Sequence, residues 1–354
     1  MMITEGNVKI AKGDGVFYNP QMEINRDLLS IAIGVLGVKT FCDGHSATGI
    51  KAIRASAENN VESVDAVELS ANACDTIRKN VALNGMTNIN IVNEDVRFVL
   101  MRKNYEFVEI DPFGTPAPYF YALADSFSWR KSGYFSMTAT DTAVLCGAEA
   151  KACRRMYGAV PFHKECVHEA GLRILIGRIQ SIFAKDNIAV TPLLSLSHRH
   201  YLKVFMEAKK SAQQCDRNLD MIKYFAYCEK CKGRRYIKPG DSAHCETCNA
   251  KMLVAGPMWA GLLHNTEFLD KMMAECERRR YKNAEEELRI LHTLRDENFE
   301  GFCYDLHTLY RGAHIPKTLD VIERLRSKGF KAAQTTYKNW IIRTDAPDIK
   351  EIQI

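Results

Sequence analysis

The run Ile110-Asp111-Pro112-Phe113-Gly114-Thr115-Pro116-Ala117-Pro118 places an acid, a ring and three prolines within a few positions of one another. Residues 105–110 lead into it as an apolar-rich segment that ends abruptly at the acid. The prolines and the glycine then forbid regular structure. An Asp-Pro-aromatic step at the rim of an α/β sheet sets a carboxylate beside a ring. There Asp111 can accept a hydrogen bond from an exocyclic amine of a nucleobase, Pro112 can fix the turn, and Phe113 can stack on the base. The same residues also describe a plain strand exit closed by a capping aspartate. What the rest of the chain builds around them decides between the two.

The elements that must hold these groups follow from periodicity. Residues 13–20 carry two glycines, a proline and the adjacent Phe17 and Tyr18, and read as a loop anchoring an N-terminal arm. Residues 22–36 repeat apolar side chains at helical spacing, with Arg26 early on the polar face, where a surface role is the default. A strand over 38–43 ends at Asp43 and enters Gly44-His45-Ser46-Ala47-Thr48-Gly49, small residues that let backbone and ligand meet at a helix N-terminus. This loop is neither a dinucleotide G-x-G-x-x-G fingerprint nor a P-loop. A second strand, over 64–68, ends at Glu68, roughly twenty residues on, the interval of a βαβ unit whose second acid binds ribose hydroxyls. Ser70 is placed to cap the helix that follows.

A third strand, over 89–92, leads to Asp95, which can meet an adenine amine or simply cap the next helix. A fourth strand ends at Asp111, a fifth covers 133–139, a long helix covers 165–183, and strands over 188–196 and 201–208 form a hairpin. Asp43, Glu68, Asp95 and Asp111 thus end successive strands. This alternation predicts an α/β, Rossmann-like domain over 1–210 with its site along the carboxyl edge of the sheet. The terminal hairpin is the pattern of an S-adenosylmethionine-dependent methyltransferase domain with a mixed seven-stranded sheet.

At 354 residues the chain is long enough for two cores, and 46% apolar with 26% charged residues is an ordinary globular composition. The longest apolar runs fall short of a membrane span and the first residues do not form a signal peptide, so a cytoplasmic location without membrane association is expected. A net charge of +5 permits an anionic partner without requiring one. Nothing in the pattern points to an obligate protein partner. Eight of the twelve cysteines are scattered singly and read as buried thiols.

The other four form two knuckles, Cys228-x-x-Cys231 and Cys245-x-x-Cys248, separated by thirteen residues. Paired knuckles at this spacing supply four thiolates to one tetrahedral zinc with no open position, so the metal would be structural. His244 is a less favoured substitute ligand. The composition shift after about Lys210 marks a smaller α+β domain over 211–354, with a zinc ribbon at about 225–252. A charged helical stretch follows over 266–296, carrying Arg278-Arg279-Arg280 and Glu285-Glu286-Glu287 on what reads as a solvated face. Helices at 304–310 and 318–327 then suggest a helix-turn-helix or winged unit over about 300–345. Residues 311–343 hold eight lysines and arginines against two acids, an excess larger than the net charge of the whole chain. With Tyr337 and Trp340 interleaved, this is either an RNA-backbone surface or a solvated helical face.

These blocks together resemble the tRNA (guanine-26) N2-dimethyltransferase family, its archaeal members most closely. The resemblance rests on Val16-Phe17-Tyr18-Asn19-Pro20 with Glu23 and Asn25-Arg26-Asp27, on Asp43 with Ser46-Ala47-Thr48-Gly49-Ile50, and on the Asp111–Pro118 block. It continues through Thr138-Ala139-Thr140-Asp141-Thr142-Ala143-Val144-Leu145-Cys146-Gly147. It implies S-adenosylmethionine as methyl donor and tRNA as partner, with one or two methyl groups placed on the N2 amine of guanine 26. It also implies that Arg26, Asp43, Ser46, Lys51, Glu68, Asp95 and Val96 line the donor site. Asp111 would be the catalytic carboxylate, with Phe17 and Phe113 gripping the guanine beside Pro112. The chain departs from the family at Lys51, where an arginine is usual, and at His45, where an apolar residue is usual. A bidentate contact at position 51 thereby becomes a point charge.

Overall fold

The computed structural model describes residues 2–347 and residue 352. It opens with a hairpin, β1 (Met2–Glu5) and β2 (Val8–Ala11), and the helix α1 (Glu23–Leu36). Strands and helices then alternate: β3 (Thr40–Asp43), α2 (Ile50–Glu58), β4 (Ser63–Val67), α3 (Ala71–Leu83), β5 (Ile89–Val92), α4 (Val96–Leu100), β6 (Phe107–Ile110), α5 (Phe120–Phe127) and β7 (Ser132–Ala139). Short α6 (Thr142–Leu145) and α7 (Ala150–Tyr157) precede the long α8 (Val167–Ala184), and a hairpin of β8 (Ile188–His198) and β9 (Tyr201–Lys210) completes the sheet.

The seven strands lie in the order β5-β4-β3-β6-β7-β9-β8. The first five are parallel; β9 runs antiparallel to β7 and pairs with β8. From β3 the chain winds outward through β4 and β5, then returns to lay β6 on the other side of β3. The switch point therefore falls between the ends of β3 and β6, where a crevice must open. Asp43 and Asp111 stand on its two sides. Phe41 and Phe107 anchor these strands in the core, both fully buried with ring centroids 5.9 Å apart. Each such side chain contributes on the order of 1.5–3 kcal/mol by burial. Helix α3 starts at Ser70, which accepts the Ala73 N–H, and α1 ends at Gly37 in a left-handed C-cap.

Beyond α9 (Ala212–Asp220), β10 (Ile222–Tyr227), β11 (Arg234–Ile237) and β12 (Leu253–Trp259) form a three-stranded sheet in the order β11-β10-β12. The stretch expected as one helix over 266–296 is two, α10 (Thr266–Arg279) and α11 (Ala284–Asp296), parted where Arg280 turns left-handed at φ 51°. Nor is it a solvated face throughout. Arg279 is buried and reaches Glu275, Asn59 and Ser30, while Arg278 stays exposed. Phe268, Leu269, Met272, Ile290, Leu291 and Leu294 share one core with α1, α2 and β3. These two helices, which lie beyond residue 211, thus pack on the core of the seven-stranded sheet. Their apolar stripe has no other surface on which to bury.

The chain ends with β13 (Phe302–Asp305), α12 (Leu306–Leu309), α13 (Thr318–Ser327), β14 (Ala332–Gln334) and β15 (Ile341–Thr344). The sheet order is β13-β15-β14, around a core of Tyr304, Leu306, Val321, Leu325 and Ile342. Residues 304–310, expected as a helix, divide between a strand and a single turn, because Asp305 accepts the Thr308 N–H and starts the helix there.

Candidate active site

The loop after β3 turns under local constraints that leave its backbone facing a cavity. Gly44 lies so close to the Glu109 carbonyl and to Val96 that an added Cβ would sit 2.9 Å from each. Gly49 opens α2 at φ 80°, a conformation that suits glycine. The loop is held from outside: Glu68 accepts the Ala47 N–H with one oxygen and the Ser70 N–H with the other, at 2.9 Å each. Asn80 donates to the Thr48 carbonyl and accepts from the Ala11 N–H, tying the loop to the N-terminal hairpin.

The cavity has a volume of about 230 Å³. Phe17, Arg26, Ser46, Lys51, Glu68, Asp111, Pro112 and Phe113 all line it, brought together from the N-terminal loop, α1, the β3–α2 loop, α2, the β4 exit and the β6 exit. Phe17 and Phe113 flank the mouth at 51% and 76% exposure, edge to face with ring centroids 4.6 Å apart. Val16 is buried and the Tyr18 hydroxyl donates to Glu5, so the loop is anchored on either side of a Phe17 that faces solvent.

Arg26 faces the cavity, but its guanidinium is held at 2.6 and 2.7 Å by the two oxygens of Glu5 and also donates to the Asn19 carbonyl. Asp43 lies beneath the cavity, fully buried, with neither carboxylate oxygen hydrogen-bonded. Burial, against the pull of Lys51, pushes its carboxyl up to about 6. Asp95 and Val96 do not line the cavity. Asp95 accepts the Arg97 N–H as the cap of α4 and pairs with the Arg97 side chain, while Val96 packs under Gly44. Between Asp95 and the cavity stands His45, edge-on to Tyr119 at 4.7 Å. Its burial, with Lys51 nearby, lowers its pKa to about 4, so the ring is neutral at physiological pH.

Asp111 is held by Lys51, whose Nζ also donates to Glu109 at 3.2 Å. Burial opposes ionisation of Asp111, but Lys51 and then Lys203 overcome it, and the carboxyl stays below the ordinary aspartate range. Glu109 and Lys203 were not expected from sequence. Glu109 accepts from Lys203 at 2.7 Å and from the Ser136 hydroxyl, and both partners of that ion pair are fully buried. The signal was present: an acid inside the apolar run of β6 and a lysine inside that of β9. Such charges are almost never buried without a partner.

Of the expected donor set, Arg26, Ser46, Lys51 and Glu68 line the cavity and Asp43, Asp95 and Val96 do not. Glu68 stands where a ribose diol would pair, and Asp43 offers two unpartnered acceptors. The Gly44–Gly49 backbone leaves the space that side chains would fill.

The four knuckle cysteines converge: Cys228–Cys248, Cys231–Cys245 and Cys231–Cys248 sulfurs lie 3.5, 3.3 and 3.6 Å apart. Four thiolates at about 2.3 Å from a tetrahedral zinc would have nearly this spacing. His244 is outside the cluster found among the described residues. Between this ribbon and the C-terminal unit lies a groove of about 1130 Å³. Lys230, Lys232, Arg311 and Lys338 border it, and His307 stacks on Trp340 at 4.7 Å within it.

The chain is similar to known proteins over nearly its whole length. A family profile described as N2,N2-dimethylguanosine tRNA methyltransferase matches residues 1–353. The tRNA (guanine(26)-N(2))-dimethyltransferase of Methanobrevibacter smithii is 34% identical, over 97% of this chain and 92% of its own. That of Archaeoglobus fulgidus is 33% identical, over 98% and 96%. The structure of Trm1 from Pyrococcus horikoshii with S-adenosyl-L-methionine superposes with a TM-score of 0.92 at 30% identity, covering 100% of this chain and 99% of that one. An acid and two rings around a cavity at the switch point, a four-cysteine ribbon and a near full-length match lead to one conclusion: the chain belongs to the N2,N2-dimethylguanosine tRNA methyltransferase family.

Proposed function

We propose that this protein transfers one or two methyl groups from S-adenosylmethionine to the exocyclic N2 of guanine 26 in tRNA. The observation that carries the reading is Asp111, an ionised carboxylate in a cavity whose mouth is flanked by the exposed rings of Phe17 and Phe113. When bound, the donor supplies a methyl group already activated by its sulfonium. The N2 amine of guanine is a weak nucleophile because its lone pair is delocalised into the purine. Asp111 accepts a hydrogen bond from that amine, draws the lone pair back out of the ring, and takes the proton the amine gives up. Base assistance of this kind is worth about 10²–10⁴-fold.

Phe17 and Phe113 hold the base between their faces once their present contact opens. Pro112 fixes the angle at which Phe113 leaves the strand. Glu68, Asp43 and the Ser46–Gly49 backbone hold the donor, while Lys51 and Arg26 close the cavity beside it. Asp95 and Val96 act from outside the cavity, one capping α4 and one packing under Gly44.

The tRNA body is held by the basic groove between ribbon and C-terminal unit, where contacts follow phosphate and shape more than base edges. The four cysteines hold a structural zinc, which takes no part in methyl transfer. Incubation with isotope-labelled donor and an unmodified tRNA transcript, followed by nucleoside analysis, tests the reading. Label in N2-methylguanosine and N2,N2-dimethylguanosine is expected. Label in any other nucleoside rejects it.

A further inference from the structure

We propose that Lys51, seated by the buried Glu109–Lys203 pair, is a positioning residue that fixes Asp111 as an ionised acceptor with one oxygen turned to the substrate. The inference rests on the reading of Asp111 as the acid that meets the amine. The family resemblance placed Lys51 at the methyl donor; the geometry gives it a second task.

The chain of contacts runs inward from the cavity. Lys51, on α2, takes one oxygen of Asp111, and the other accepts no hydrogen bond among the described residues. Lys51 is steadied from behind by Glu109, on the same strand as Asp111 and two residues before it. One Glu109 oxygen serves both Lys51 and Lys203, and the other is taken by the Ser136 hydroxyl. Lys203 spends its three donors on Glu109, Asn25 at 3.1 Å and Thr138 at 3.2 Å. Both Glu109 oxygens and all three Lys203 donors are engaged, which holds Lys51 in place, while the Asn25 amide nitrogen at the far edge of the array has no partner among the described residues. A buried polar network satisfied at its centre is rigid there, which is what a carboxylate aimed at a single N–H requires.

A proton conduit would use similar residues, but this chain ends at Lys203, which is 0% exposed and bonded only to buried groups. Among the described residues no hydrogen bond leads from it to an exposed group, so the array fixes charge and does not move it. The titratable groups facing Asp111 are Asp43 and His45 from the β3 exit, Lys51 from α2, Glu109 from β6, and Tyr201 and Lys203 from β9. Of these, Lys51 alone is a cation hydrogen-bonded to it.

Single-turnover methylation of tRNA by the full chain, followed against pH, tests this with Lys51→Met, Lys51→Gln and Lys51→Arg beside Asp111→Asn. Loss of the charge leaves Asp111 buried without a cation, so its protonation reaches higher pH and the acid limb of the rate profile moves up. At a pH where wild type has just reached its plateau, Lys51→Met should lose about tenfold or more, the scale of one close charge pair. Lys51→Arg should restore the limb. Lys51→Gln, which keeps a hydrogen-bond donor on a shorter, uncharged side chain, should not, and it carries the comparison if Lys51→Met melts below the assay temperature.

An acid limb unmoved in both Lys51→Met and Lys51→Gln overturns the proposal. So does loss of rate that merely follows loss of donor binding measured by titration calorimetry. If instead Asp111→Asn keeps the wild-type rate, the reading of Asp111 itself fails, and the two failures are told apart.

Discussion

In the proposed reaction guanine N2 needs a carboxylate that is ionised before the base arrives, and burial works against ionisation. The protein resolves this with Lys51 and Lys203, which outweigh the burial of Asp111. Asp111→Ala should therefore abolish methyl transfer while calorimetry still registers donor binding, because Glu68 and the Gly44–Gly49 backbone are untouched. Loss of donor binding in that variant would move Asp111 into the donor site. Asp111 was legible in sequence because proline and glycine around it mark a forced chain exit. Glu68 and Asp95 were legible only as positions: Glu68 reached the cavity wall, whereas Asp95 is spent on capping α4. Glu109 and Lys203 lie ninety-four positions apart, and no local pattern announces their pairing.

Among the elements, the zinc ribbon is the one whose fold depends most on something outside its own apolar core. That core is small: Ala226, Cys228, Ile237, Cys245 and Met252. Cys228→Ser, or removal of the metal by a chelator, should release zinc and lower tRNA affinity while leaving donor affinity unchanged, since a ribbon of this size is folded largely by its metal. Zinc content by mass spectrometry with both binding constants checks it. The knuckle spacing made this site readable from sequence, because metal geometry fixes the spacing of its ligands. The groove beside it was half readable. Its basic residues stood out, but its ribbon wall, with Lys230 and Lys232, comes from another part of the chain. Lys338→Glu should weaken tRNA binding and lower the slope of log affinity against log salt by about 1 or more. An unchanged slope would remove Lys338 from the interface.

At the scale of the whole molecule, the parts are joined by buried charge. Arg343, on β15, meets Glu169 of α8 at 2.8 Å, and Arg234 of the ribbon meets Glu165 at 3.0 Å and lies over the Tyr304 ring. Glu297, after α11, sits fully buried in the same joint and accepts from Thr336. Burial, against the pull of Arg343, raises its carboxyl to about 8. A folded value above the ordinary 4.5 means the fold favours the protonated form. The stability this group contributes is therefore full below about pH 4.5 and is lost as pH rises toward 8. Glu297→Gln should melt with wild type at pH 5 and above it at pH 8, as read by thermal denaturation across that window. Equal melting temperatures throughout would show that the joint does not depend on this proton. Composition marks a shift near residue 211 but does not show these joints, because the paired charges lie 69 (234 − 165) and 174 (343 − 169) positions apart.

The exocyclic amine of one guanine is the proposed methyl acceptor. Two transcripts that differ only at position 26, one with guanosine and one with inosine, which lacks that amine, test it most directly. With labelled donor, the guanosine transcript should take up label as N2-methylated guanosine and the inosine transcript should take up none. Equal incorporation into both would mean that this amine is not the acceptor.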